Sequence, residues 1–154
     1  MARKTILNSD ALVRALHASY NQGKRRADLL QMVASRMRAA GSPYTGVYLY
    51  LVHGSDLVLE AFAGRPTEHT RIPIGTGLCG RAVAEQRDIN AADVAQEPDY
   101  LACSLETRSE LVVLIRGGRE ILGQIDVDSD VVNGFGDAEQ AAVKDVADAL
   151  ATLL

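Results

Sequence analysis

The chain has 154 residues, 47% hydrophobic and 23% charged, with a formal net charge of −4. That length predicts one domain whose core needs no disulfide or metal staple, and the acidic balance argues against nucleic acid as a partner, because phosphate binding wants a basic face. Met1-Ala2-Arg3-Lys4 opens no signal peptide and no apolar stretch reaches the ~18 residues of a membrane span, so a cytoplasmic protein with no membrane contact is expected.

Asn8-Ser9-Asp10 offers N-cap residues for a helix carrying Leu12, Val13, Leu16 and Tyr20 at helical spacing. Lys24-Arg25-Arg26 reads as the solvated start of a second helix, to about Ala40, with the stripe Leu29, Leu30, Val33 and Met37. Gly41-Ser42-Pro43 ends it. The period then falls to two. Tyr44 to Val52 predicts a strand with Val47, Leu49 and Leu51 on one face and Tyr44, Gly46, Tyr48 and Tyr50 on the other. His53-Gly54-Ser55 turns into a strand from Leu57 to Phe62, Gly64-Arg65-Pro66 breaks it, and Arg71 to Ile74 is a short third strand. Gly75-Thr76-Gly77 leads into a short helix from Leu78 to Glu85. Arg87 to Asn90 is extended, and a long loop runs from Ala91 to Ser109, a length that usually serves function. Strands from Glu110 to Arg116 and Glu120 to Asp128 flank Gly117-Gly118. A last helix begins at Ala138, where Asp137 and Gln140 suggest a capping box. This order predicts an α+β fold over residues 1–154: an N-terminal helical segment (1–24), then a core (25–154) built on an antiparallel sheet. Helices cover one face and a pocket forms on the other.

Asp is depleted in strands, yet Asp126 and Asp128 alternate with Ile125 and Val127 inside the last one. Both carboxylates therefore share a face, about 7 Å apart. A three-residue loop at Gly117 to Arg119 would set Glu110 opposite Asp126. It would also gather Leu111, Val113 and Ile115 with Ile121, Ile125 and Val127 on the opposite face, whereas a one-residue slip would mix the faces. Glu110, Asp126 and Asp128 are thus expected to converge, with at least one pKa raised by burial and repulsion. A cation would balance them. The ammonium of a free amino acid fits, as does a metal ion, the metal being less favoured because His17, His53 and His69 are scattered. A solvated strand face guarding against edge pairing is the alternative.

Two cysteines are too few for a secreted disulfide scaffold, so in a reducing cytosol they are either small buried hydrophobes or a redox couple. Cys79 falls in the first turn of a helix, where backbone amides favour a thiolate. Cys103 lies in the long loop. Ile72-Pro73-Ile74-Gly75-Thr76-Gly77-Leu78-Cys79-Gly80 resembles the glycine-cysteine motif of the free methionine-(R)-sulfoxide reductases, which are GAF-domain proteins. Asp93-Val94, Leu101-Ala102-Cys103, Ser109-Glu110-Leu111-Val112-Val113 and Asp126-Val127-Asp128-Ser129 follow in that family's order and spacing, and Tyr44-Thr45-Gly46-Val47-Tyr48-Leu49 is similar to its first core strand.

The resemblance implies a GAF-type fold and a thiol-dependent reduction of free methionine-(R)-sulfoxide. Cys103 would attack the sulfoxide and become a sulfenic acid. Cys79 would resolve it as a disulfide, and thioredoxin would reduce that disulfide, with no cofactor. Glu110, Asp126 and Asp128 would hold the substrate's ammonium and sulfoxide oxygen, protonated Glu110 supplying the proton that lets oxygen leave as water. Tyr44 and Tyr48 would line the apolar side of the pocket. A homodimer through the N-terminal helices is the expected assembly. The sequence departs from the family pattern at His69, where many members carry a third cysteine, and at Tyr44, where many have Trp. Asp99-Tyr100 replaces the usual Gly-His, and Leu114 a proline. A relay of thiols would therefore run directly from Cys103 to Cys79. The alternative is a non-catalytic GAF module that binds a small ligand or senses redox state.

Overall fold

The computed structural model describes residues 5–98, 100–101 and 104–154. Cys103 and Asp99, both singled out in the sequence, lie outside the described residues. The elements are α1 (Ser9–Asn21), α2 (Arg26–Ala39), β1 (Gly46–His53), β2 (Asp56–Ala63), β3 (Arg71–Pro73), α3 (Gly77–Glu85), β4 (Ile89–Ala91), a 3-10 turn (Val94–Gln96), β5 (Ser109–Gly117), β6 (Glu120–Ser129) and α4 (Asp137–Leu153). Two hairpins, β1-β2 and β5-β6, meet at a central β1-β6 pairing. With the short edges they form a six-stranded sheet in the order β3-β2-β1-β6-β5-β4, antiparallel throughout.

Helices α1, α2 and α4 cover one face. Leu12, Leu16, Leu29, Leu30, Val33, Met37, Val143, Val146 and Leu150 pack there on Val47, Leu49, Leu111, Val113, Ile115, Ile125 and Val127 of the sheet. Leu12 and Leu16 of α1 and Leu29, Leu30, Val33 and Met37 of α2 are buried in this layer, whereas Tyr20 of the α1 stripe stays 49% exposed. The opposite face carries Tyr48, Tyr50, Val112 and Leu114 under α3, with Leu78, Ala82 and Val83 contributed by that helix. The pocket face is therefore partly roofed by a helix.

Three local expectations are corrected. Strand β1 begins at Gly46, not Tyr44. Tyr44 N bonds Gly41 O and Thr45 N bonds Pro43 O, so the chain turns here and alternation does not extend back to Tyr44. Tyr44 accordingly lies in the helix-side core, edge-on to Phe135, with its hydroxyl donating to Glu139 Oε2 at 2.6 Å. Burial, then Glu139, holds that phenol well above its ordinary pKa. At α4 the cap is Gly136 without a side-chain bond. Asp137 is already helical, complementing the helix dipole, and Gln140 Oε1 instead accepts from Asn90 Nδ2 at 3.0 Å.

The third correction concerns the β5-β6 register. Gly117 pairs with Glu120 across a two-residue turn, and Leu122 is then an extra residue between the pairs Arg116–Ile121 and Ile115–Gly123. The bulge sets Glu110 opposite Asp128, with Asp126 opposite Val112, instead of Glu110 opposite Asp126. Ile121 consequently packs on the α3 side, and Leu122 takes the helix-side place expected for Ile121. Gly123 has no room for a side chain: a Cβ there would meet Tyr50 O at 2.2 Å.

Candidate functional site

The register differs from expectation by two residues, so the parity of the strand is kept and the acids still share a face. Glu110, Asp126 and Asp128 are 4%, 1% and 3% exposed. Asp126 is flanked across the strands by Tyr48 and Val112, and Asp128 by Gly46 and Glu110. Glu110 has Ala91 on its other side. Over them lies α3. Gly77, at φ +64°, starts this helix with Leu101 so close that a Cβ would meet it at 3.1 Å. Cys79, the third helical residue, is driven onto the acids, its Sγ 3.8 Å from Glu110 Oε2. Gln124 Nε2 donates to Cys79 O at 3.2 Å and fixes that turn of α3 to β6.

The electrostatics differ from the expected thiolate. Burial pushes the Cys79 thiol well up, and the charges of Asp126 and Glu110 push it further. A buried thiol against carboxylates gains nothing from the helix dipole that would offset this. Burial also raises Asp126 to about 6, while side-chain hydrogen bonds with Glu110 and Cys79 pull the other way. Asp128 stands well above the ordinary carboxyl range, through burial first and the charge of Asp126 second. Among the described residues, Asp126 Oδ1 and Asp128 Oδ1 are buried without hydrogen-bond partners. Such atoms are costly unless something fills their place.

The cavity over this cluster is about 10 Å³ in volume, room for about one water. Its lining includes His69, Leu78, Cys79, Tyr100, Leu101, Glu110 and Asp126. His69, which stands where the resembling family often has a third cysteine, is therefore at the site, and its backbone carbonyl accepts from Tyr50 Oη at 2.7 Å. Tyr48 is buried on the site face and donates to Arg65 O at 2.6 Å, while Tyr44 is on the far side of the sheet. Sequence reading missed Arg65, which appeared only as part of a strand breaker. Its guanidinium forms a two-pronged ion pair with Asp130, a second pair with Glu106, and its charge lowers the pKa of Asp128. No sequence pattern announces this, because the three partners come from three separate loops.

A GAF domain family model matches residues 25–154. The chain is 35% identical over 107 residues to Protein YtsP of Bacillus subtilis, a match that covers 70% of this chain and 65% of that one. It is 34% identical over 95 residues to the free methionine-R-sulfoxide reductase of Escherichia coli, covering 62% of this chain and 57% of that one. The matches thus span less than two thirds of either relative. Among solved structures, the type II free methionine-R-sulfoxide reductase of Thermoplasma acidophilum superposes with a TM-score of 0.80 at 33% identity, over 92% of this chain and 94% of that one. The sheet order, the helix layer and these similarities agree: the chain belongs to the GAF domain family, and within it is similar to free methionine-R-sulfoxide reductases.

Proposed function

We propose that the chain reduces free methionine-(R)-sulfoxide. The carrying observation is the convergence of Glu110, Asp126 and Asp128 beside the buried Cys79 thiol, in a chain similar to enzymes named for that reaction. The acids would hold the substrate's ammonium, which would occupy the position where the Oδ1 atoms of Asp126 and Asp128 have no partner among the described residues. A peptide-bound methionine lacks that ammonium and would be rejected. The cavity is too small for an amino acid, so binding requires its lining, which includes Tyr100 and Leu101, to move apart.

Cys103 attacks the sulfoxide sulfur. The oxygen passes to Cys103 Sγ as the transient bond between the two sulfurs and the sulfur–oxygen bond of the substrate break, so methionine leaves and Cys103 becomes a sulfenic acid, the thiol proton ending on that oxygen. Cys79 then attacks the Cys103 sulfur, the S–S bond forms as the S–O bond breaks, and the hydroxyl leaves as water with the proton of the Cys79 thiol, passed through the acidic cluster. A thioredoxin dithiol restores both thiols. The raised pKa of Cys79 suits the second step better than the first, because a neutral thiol does not compete for the sulfoxide. Cys103→Ser should abolish sulfoxide reduction, and Cys79→Ser should leave one stoichiometric turnover while blocking recycling. A thioredoxin-coupled assay with both epimers of free methionine sulfoxide tests the whole reading. Turnover of the R form is expected, and none by reduced protein would reject it.

A further inference from the structure

We infer that the reduced chain binds one thiophilic divalent cation of the zinc class through Cys79 Sγ, Glu110 and Asp126. The inference uses part of the proposed substrate site but stands without the reductase activity. One ligating atom from each of the three residues lies within 4.8 Å of the others, and all three residues are buried. Tetrahedral zinc with one sulfur and two oxygens requires ligand separations of about 3.4–3.6 Å. The Cys79 Sγ to Glu110 Oε2 distance of 3.8 Å is already close to this, so side-chain adjustment of about an ångström closes the set.

Two further observations point to a small cation. Asp126 is 1% exposed, lines the cavity and keeps Oδ1 without a hydrogen-bond partner among the described residues. The cavity of about 10 Å³ matches a single ion or water and supplies the fourth position, which a water would fill. The donor set selects the metal class. Thiolate excludes magnesium and calcium, which prefer all-oxygen shells, and the carboxylates favour borderline zinc over copper(I).

Binding is an exchange of protons for metal with no change of oxidation state. The thiol proton of Cys79 leaves, as does the proton that the side-chain hydrogen bond between Glu110 and Asp126 requires, and three ligand–metal bonds form. The bound cation would exclude an ammonium from Asp126 and remove Cys79 from disulfide exchange.

The test titrates zinc chloride into metal-free reduced chain by calorimetry and cobalt chloride by absorbance. One equivalent should bind, with an intense thiolate-to-cobalt charge-transfer band. The isosteric Cys79→Ser should abolish the band and weaken zinc at least tenfold. Asp126→Asn should weaken both metals, and Cys103→Ser should bind as the unaltered chain does. Absence of saturable binding, or a cobalt band that survives Cys79→Ser, overturns the inference. Metal binding without sulfoxide turnover of the metal-free protein would reject the reductase reading alone.

Discussion

Asp126 bears the sharpest conflict between folding and chemistry. Its carboxyl is 1% exposed, and burial lifts its pKa from 3.8 to about 6. Near neutral pH it is ionised beside two other acids and a thiol, which costs stability and prepares an anionic pocket. Asp126→Asn keeps the shape and removes that charge. The variant should unfold at a higher temperature at pH 7, by on the order of 1 kcal/mol of added stability. Its KM for the sulfoxide should rise at least tenfold, since a buried charge partner of an ammonium is typically worth ~2 kcal/mol or more. Thermal melts and steady-state kinetics check the two arms separately. For the unaltered chain, KM should rise as pH falls through about 6, when protonated Asp126 stops attracting the ammonium. A KM flat from pH 5 to pH 7 (about one unit either side of that value) would remove Asp126 from substrate binding.

At the scale of elements, the start of β1 and the centre of β6 make opposite demands. Tyr44 precedes β1 and serves the helix layer, where its hydroxyl ties Glu139 to the sheet. The same carboxylate accepts from Ile6 N and Leu7 N, so one acid of α4 secures both the strand entry and the segment before α1. Tyr44→Phe should cost ~1 kcal/mol in urea unfolding and leave KM unchanged, whereas a pocket residue would show the reverse. Gly123→Ala would place a Cβ against Tyr50 O at 2.2 Å. The β1-β6 pairing then has to open, with a loss of ~1–3 kcal/mol measurable by the same method.

For the whole molecule, the buried acids set how stability varies with pH. The folded pKa of Asp126 is raised, so the folded state holds the proton more tightly than the unfolded chain. Its contribution is most favourable below about 4 and declines as pH rises through about 6. The Asp126→Asn variant should lack this decline in equilibrium unfolding across that window. Much of the architecture was legible in the sequence because burial writes a period into it. The stripe of Leu29, Leu30, Val33 and Met37 and the alternation of Ile125 and Val127 with Asp126 and Asp128 place helices and strand faces correctly. Tyr44 was misplaced because alternation says nothing about where a strand begins. The register of β5-β6 was missed because a bulge leaves no mark in an apolar pattern. Arg65 was missed because its meeting with Asp130 and Glu106 exists only in three dimensions.

The extra residue at Leu122 governs more than local shape. The two-residue turn alone would make the paired residue numbers of β5 and β6 sum to an odd value and set Glu110 opposite Val127. The bulge restores an even sum and the observed Glu110–Asp128 pairing. Which side of the sheet receives the acids is therefore a matter of counting. One residue gained or lost in this hairpin puts Glu110 on the face opposite Asp126 and Asp128, while two compensating changes leave the three acids together. Length variation among natural versions of this hairpin should accordingly come in pairs.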